Sequence, residues 1–204
     1  MYSLEEGIAA VRIARQVIEC FTKGKPYPDF DFPKSFEEAS GVFVTINTHP
    51  SDQLRGCIGY PSPIYPLREA LVKAAEGSTE DPRFPRLGVD ELDAITVEVS
   101  LLTVPKLIEV ESALDYPKNV EIGKDGLIVE KGPFKGLLLP QVAVEWKWDE
   151  ESFLSQTCIK AGLPPDAWFD KDTKIYKFSS QIFGEVEPKG RIVKRTLEVE
   201  DEGS

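Results

Sequence analysis

The sequence has one histidine and three cysteines among its 204 residues. His49 stands alone, and Cys20, Cys57 and Cys158 lie far apart with no Cys-x-x-Cys pair. Because ordinary zinc sites draw several His or Cys ligands from short spacings, we expect no metal site. Three widely spaced cysteines cannot all pair with one another, which favours a reducing, cytoplasmic compartment.

Several other signals are also missing. There is no Gly-x-Gly-x-x-Gly run and no Walker-type loop, so we expect no common nucleotide cofactor and assign none. No apolar run approaches the roughly 20 residues that span a membrane, and the first residues lack the basic and apolar segments of a secretion signal. The net charge of −11 argues against nucleic-acid binding. The expected partner is therefore an unknown small molecule or a partner protein.

The most distinctive stretch that is present runs from Leu54 to Tyr60, with the sequence LRGCIGY. It follows an alternating run, Gly41 to Thr48, and the two runs predict an antiparallel strand pair. The segment from Ser62 to Gly77 predicts a helix, with Pro63 at its first position. In an extended strand Arg55 and Cys57 share a face. This arrangement fits either a reactive site or a tight structural corner.

The rest of the chain predicts a mixed helix and strand protein. The charge-rich residues 188–204 predict a poorly ordered tail after a domain of residues 1–187. The remaining predicted elements are a helix over Leu4–Lys23 capped by Ser3, a strand over Ile95–Thr103, a hairpin over Val120–Val129 around Gly123–Gly126, a pairing of residues 127–130 with 136–139, a helix from Asp149 to Ala161, and a strand over Ile175–Val186.

Three segments together carry a family resemblance. They are Leu54 to Gly59 (LRGCIG), Asp81 to Pro85 (DPRFP) and Leu139 to Trp146 (LPQVAVEW). In this order and spacing the chain resembles the AMMECR-type domain family over roughly Leu4 to Val186. The six-residue LRGCIG run is the most specific mark. The short, one-domain form is similar to the archaeal members.

The resemblance implies an α/β (α+β) fold with two lobes, in which duplicated strand-helix units surround a barrel-like, largely antiparallel sheet. It implies that residues 1–187 form a single AMMECR-type domain. It brings no established activity. Some relatives are linked to Memo-like and radical SAM proteins, which suggests a shared pathway, although this chain is too short to contain either partner.

The candidate catalytic residues are Cys57, Arg55 and Glu98. Cys57 can act as a nucleophile or redox thiol, Arg55 can bind an anionic group, and Glu98 can serve as a general acid or base. Each also has a structural interpretation. Free cysteine often packs as a small hydrophobe, Arg55 can form a salt bridge with Asp81 or Glu98, and Glu98 can lie on an exposed strand face.

We predict a cleft formed by the Arg55–Gly59 turn, the Asp81–Phe84 loop and the Gln141–Trp146 segment. A further set of residues is predicted to line this cleft and to bind a ligand. Asp81 and Arg83 can instead form a local pair, and the residues that follow the strand ending near Leu139 can simply pack. The sequence thus leaves an enzyme and a non-catalytic binding module both open, the latter with Phe84 and Trp146 as anchors. The predicted ligand-binding residues are Gly56, Gly59, Asp81, Arg83, Phe84, Gln141, Glu145 and Trp146.

Overall fold

The computed structural model describes residues 1–195, which divide into two compact units. Unit 1 comprises residues 1–102 and 181–195, and unit 2 comprises residues 103–180. The helices are α1 (Leu4–Thr22), α2 (Leu67–Thr79), α3 (Pro140–Glu145) and α4 (Glu150–Lys160). The strands are β1 (Val42–Thr48), β2 (Leu54–Tyr60), β3 (Ile95–Leu102), β4 (Lys106–Leu107), β5 (Asp125–Lys131), β6 (Phe134–Leu138), β7 (Lys174–Glu185) and β8 (Ile192–Arg195). Helices and antiparallel strand pairs occur together, so the predicted α+β class is confirmed.

Helix α1 begins where the sequence predicts. The Ser3 side chain accepts a hydrogen bond from the Glu6 backbone, and the Glu6 carboxylate accepts one from the Ser3 backbone. This reciprocal capping box satisfies two backbone donors that a helix start otherwise leaves unpaired. The helix buries one face completely, including Val11, Ala14 and Ile18, in the core of unit 1.

The sheet of unit 1 positions the LRGCIG segment. Its strands run in the order β2-β1-β3-β7, so β2 is the edge strand. Strand β1 pairs antiparallel with both β2 and β3, which confirms the predicted strand pair. Val44 and Ile46 of β1 are fully buried in the core with residues of α1 and α2. The alternate residues of β1 therefore lie on the opposite face of the sheet.

Helix α2 starts four residues later than predicted, with Leu67 rather than Pro63 at its first position. Pro66 explains the difference. Its ring disfavours the helical conformation for the preceding residue, Tyr65, and Pro66 itself is extended with φ −50° and ψ 141°. Gly77, the predicted stop, lies inside the helix, which continues to Thr79.

Unit 2 pairs β5 with β6 and with the first half of β7. The predicted pairing of residues 127–130 with 136–139 is confirmed, with Leu127 opposite Leu138. The predicted hairpin around Gly123 is wrong, because a 3-10 helix over Pro117–Asn119 leads into a turn before β5. The Asp125 carboxylate accepts the Glu121 backbone N–H and closes that turn. Helix α4 carries the predicted Asp149 cap.

Part of the predicted tail is ordered. Ile192 to Arg195 form β8, which pairs with Ile182 to Glu185 of β7. The charge of this segment suggests a disordered end, but ladder hydrogen bonds join backbone groups and leave charged side chains free to face outward. Residues 196–204 of the predicted tail lie outside the described residues. Within residues 1–195, no helix is long and apolar enough to cross a membrane.

Candidate functional site

The two glycines of the LRGCIG segment are positions of close packing. A Cβ atom on Gly56 would lie 2.1 Å from the backbone oxygen of Ser78 near the end of α2. A Cβ atom on Gly59 would lie 2.2 Å from the ring of Phe43, its cross-strand neighbour. Strand β2 therefore approaches helix α2 at one glycine, and an aromatic ring covers the other.

Hydrogen bonds to Asp81 join the edge strand β2 to the loop that follows α2. The buried carboxylate of Asp81 accepts the backbone N–H of Cys57 at 2.9 Å and that of Arg83 at 3.0 Å. It also accepts the Arg83 guanidinium at 2.7 Å, which confirms the predicted local pair. The Arg83 side chain, together with these backbone donors, holds the pKa of Asp81 well below its usual range.

The Arg83 side chain also contacts strand β2. Its Nη2 donates to the carbonyl oxygen of Cys57 at 3.3 Å, and its guanidinium lies 5.6 Å from the centre of the Phe84 ring. Its side chain is nevertheless 57% exposed, because the loop carries it at the surface. Asp81 and Arg83 thus bind both outward-facing backbone groups of Cys57.

Arg55 has a different partner from those expected. Its Nε and Nη2 donate to the two carboxylate oxygens of Glu91 at 2.7 and 2.9 Å, and neither Asp81 nor Glu98 pairs with it. The Arg55 guanidinium lowers the pKa of Glu91. The strand register gives the reason. The pairing steps from Asn47 opposite Leu54 to Ile46 opposite Gly56, so Arg55 is the extra residue of a bulge.

Cys57 is half-buried and pairs directly with Thr45 of β1. The Thr45 hydroxyl donates a hydrogen bond to the Cys57 sulfur at 3.3 Å. Burial raises the pKa of the Cys57 thiol, and the Thr45 hydrogen bond and the Arg83 charge offset only part of that rise. All three cysteines are free thiols.

Glu98 of β3 lies on the other side of Thr45. Side chains of directly opposed residues lie on the same face of an antiparallel sheet, so Cys57, Thr45 and Glu98 form a row across three strands. We call these three residues the polar row. Its face is opposite the core face of β1. The Glu98 carboxylate forms an ion pair with Arg195 at 3.2 Å, and burial raises its pKa despite that partner.

The remaining predicted site residues belong to unit 2. Gln141 and Glu145 lie on the short helix α3, which the sequence does not predict, with Pro140 at its first position. Trp146 follows as the C-cap and is 67% exposed. The side-chain oxygen of Gln141 is buried and has no hydrogen-bond partner among the described residues. Cys57, Arg55, Glu98, Asp81, Arg83 and Phe84 all belong to unit 1.

Three contact residues escaped the sequence prediction. Thr45 was indicated only by the strand alternation, which places it on the non-core face. Glu91 ends a 3-10 helix over Val89–Glu91, which is too short to give a periodic signal in the sequence. Arg195 lay in the predicted tail. Among residues 1–195, no group of three or more His, Cys, Asp or Glu side chains could hold a metal ion.

Comparison with known proteins supplies the family. The sequence profile described as AMMECR1 matches residues 11–183. The chain belongs to the AMMECR1 family. It is 51% identical over 198 residues to Protein MJ0810 of Methanocaldococcus jannaschii, covering 97% of this chain and 98% of that protein. It is 53% identical over 199 residues to Protein PYRAB00100 of Pyrococcus abyssi, covering 95% and 97%.

A solved structure supports the fold. The crystal structure of the uncharacterized protein PH0010 from Pyrococcus horikoshii matches with a TM-score of 0.80 and 53% sequence identity. The match covers 95% of this chain and 98% of that one. None of these three names states an activity.

Proposed function

We propose that unit 1 of this AMMECR1-family protein is a ligand-binding module whose site includes the polar row. The observation that carries the proposal is the placement of Cys57 and Glu98 on either side of Thr45, on the sheet face opposite the core. Both titratable groups have a raised pKa caused by burial. Partly buried groups with shifted pKa values cluster at functional sites.

In this proposal Cys57 acts as a neutral thiol. The thiolate is the nucleophilic form of cysteine, and a free thiol has a pKa of about 8.5. Because burial raises the pKa of Cys57 further, the protonated form dominates at neutral pH. A protonated thiol gives the site a weak hydrogen-bond donor beside the Thr45 hydroxyl and the Glu98 carboxyl group. These groups suit a small polar ligand.

Arg55 and Arg83 stabilise the strand that carries Cys57. Arg55 is already engaged by Glu91, and Arg83 by Asp81, so neither presents an unoccupied fork to an anionic substrate. Their contacts instead hold β2 against the loop that follows α2. The carboxylate of Asp81 reaches the backbone of Cys57 itself. This supports a role in positioning Cys57.

Thiol-dependent chemistry at Cys57 is the second candidate. Two observations favour it. Cys57 is half-buried rather than fully buried, and the Arg83 guanidinium donates a hydrogen bond to the carbonyl oxygen of Cys57. Glu98, with its raised pKa, would then serve as a general acid. The family resemblance supports a pathway link to Memo-like and radical SAM proteins. A partner protein bound to the sheet face of the polar row is a further candidate.

A protection experiment tests the binding proposal. Iodoacetamide alkylation of Cys57 is followed by mass spectrometry, with and without a protein-free small-molecule extract of archaeal cells. We expect the extract to slow alkylation of Cys57 and to leave Cys20 unchanged. Glu98→Gln should remove the protection, because it replaces one end of the polar row. Equal Cys57 rates with and without extract would contradict the proposal.

A further inference from the structure

We infer that a groove in unit 2 binds a small planar aromatic molecule that carries a carboxylate. The groove has a volume of about 510 Å³ and lies between β6, α3 and α4. That volume is in the usual range for small-molecule sites, roughly 300–1,000 Å³. This inference is independent of the polar row, which belongs to unit 1. The lining residues are Leu138, Val142, Trp146, Trp148, Gln156, Ile159 and Lys160.

Two tryptophans give the groove a flat apolar wall. The rings of Trp146 and Trp148 stack with their centres 6.1 Å apart and an interplanar angle of 18°. Trp146 remains 67% exposed and Ile159 49% exposed. Aromatic rings prefer offset stacking on other rings, so a planar ligand can continue the existing stack. An alkyl chain would bury similar area without that geometric preference.

The polar side of the groove is cationic. Gln156 and Lys160 are four residues apart on α4 and therefore lie on the same helix face. Across the described residues, no carboxylate pairs with Lys160, whereas Lys131 pairs with two carboxylates and Lys135 with one. No described residue that lines the groove is acidic.

The positive charge of Lys160 is opposite in sign to the net charge of the chain. The whole chain carries a net charge of −11, and among the described residues Arg55, Arg83 and Lys177 are each paired with a carboxylate. The Lys160 ammonium, which has no carboxylate partner among residues 1–195, lies beside an apolar stack and is complementary to an anion attached to a ring. The Gln156 amide adds a hydrogen-bond donor on the same side. Charge and shape together select an aromatic carboxylate over a neutral or cationic ring.

The test uses 2-naphthoate as the anionic probe and 2-naphthylmethylamine as its cationic counterpart. Binding to the full-length protein is measured by isothermal titration calorimetry. We expect saturable one-site binding of 2-naphthoate and an affinity for the amine at least about fivefold lower. Lys160→Gln should weaken 2-naphthoate about fivefold or more, because the loss removes a charge-assisted contact. Trp146→Ala should abolish detectable binding.

Matched variants control for general effects. Lys171→Gln removes an exposed lysine that does not line the groove, and Phe169→Ala removes an aromatic side chain that is 48% exposed. Both should bind 2-naphthoate as the unsubstituted protein does. The inference is overturned if 2-naphthoate does not saturate, if the acid and the amine bind equally, or if Lys160→Gln leaves the affinity unchanged. Thermal melts check that every variant is folded.

Discussion

The buried carboxylate of Asp81 accepts four hydrogen bonds. Replacing Asp81 with asparagine exchanges one of the two carboxylate oxygens for an NH₂ group. One oxygen accepts the Arg83 backbone and Nε, and the other accepts the Cys57 backbone and the Arg83 Nη2. An asparagine side chain retains only one acceptor oxygen. Whichever way the amide turns, its NH₂ group faces a backbone N–H. At least one of the two backbone donors therefore loses its partner.

The size of the effect follows from these contacts. A buried donor left unsatisfied costs about 1–3 kcal/mol, and the remaining bond loses its charge assistance, which adds about 1 kcal/mol. The Arg83 guanidinium is largely exposed, so its part of the ion pair contributes less than about 1 kcal/mol. We expect Asp81→Asn to lower the free energy of unfolding by about 2–4 kcal/mol at neutral pH.

Urea denaturation measures this loss, and hydrogen exchange at the Cys57 amide localises it. The pKa of Asp81 is lowered on folding, so its stabilisation is present above the unfolded pKa of about 3.9 and is lost as pH falls toward the folded value. The difference between the two proteins should therefore be constant above about pH 5 and shrink below about pH 4. Asp115→Asn, at a partly exposed carboxylate paired with Lys118, is the control. A loss for Asp81→Asn no larger than for this control would refute the reasoning.

Two further predictions concern packing and a buried ion pair. Gly56→Ala should lower the free energy of unfolding by about 1–3 kcal/mol in urea denaturation, since its Cβ would meet the Ser78 backbone, and an unchanged midpoint would contradict this. Arg15→Met should cost about 3–5 kcal/mol, because buried Glu185 would lose the guanidinium that binds both its oxygens. Adding Glu185→Gln should recover part of that loss. If the double variant is no more stable than Arg15→Met, the unpaired charge of Glu185 is not the cause of the loss.

The sequence predicts best where one element is periodic or locally capped. The Ser3 cap, the alternation of Val44 and Ile46, and the Asp149 cap all depend on residues close together in the chain. Both Pro63 and Pro66 lie near the start of α2, and the structure begins the helix after Pro66 rather than at Pro63. Strand β8 was missed because its ladder partners lie on β7, and composition alone carries no such signal.

The candidate site was predictable in its residues more than in its contacts. The Asp81–Arg83 pair joins residues two positions apart, so the sequence alone indicates it. The Arg55–Glu91 pair was not, because a bulge turns Arg55 away from simple alternation and its partner is 36 positions distant. The polar row depends on register between three strands. Hydrophobic alternation gives the face of Thr45, but which residues stand opposite it follows only from the assembled sheet.

The most direct measurement of the central claim is the pH dependence of Cys57 alkylation by iodoacetamide, with Cys20 and Cys158 followed in the same samples. In the proposed site Cys57 is a neutral thiol. We therefore expect the Cys57 rate to rise with a midpoint above the free-thiol value of about 8.5. A midpoint below that value, with Cys57 the fastest of the three cysteines at neutral pH, would contradict a neutral thiol and favour a thiolate nucleophile.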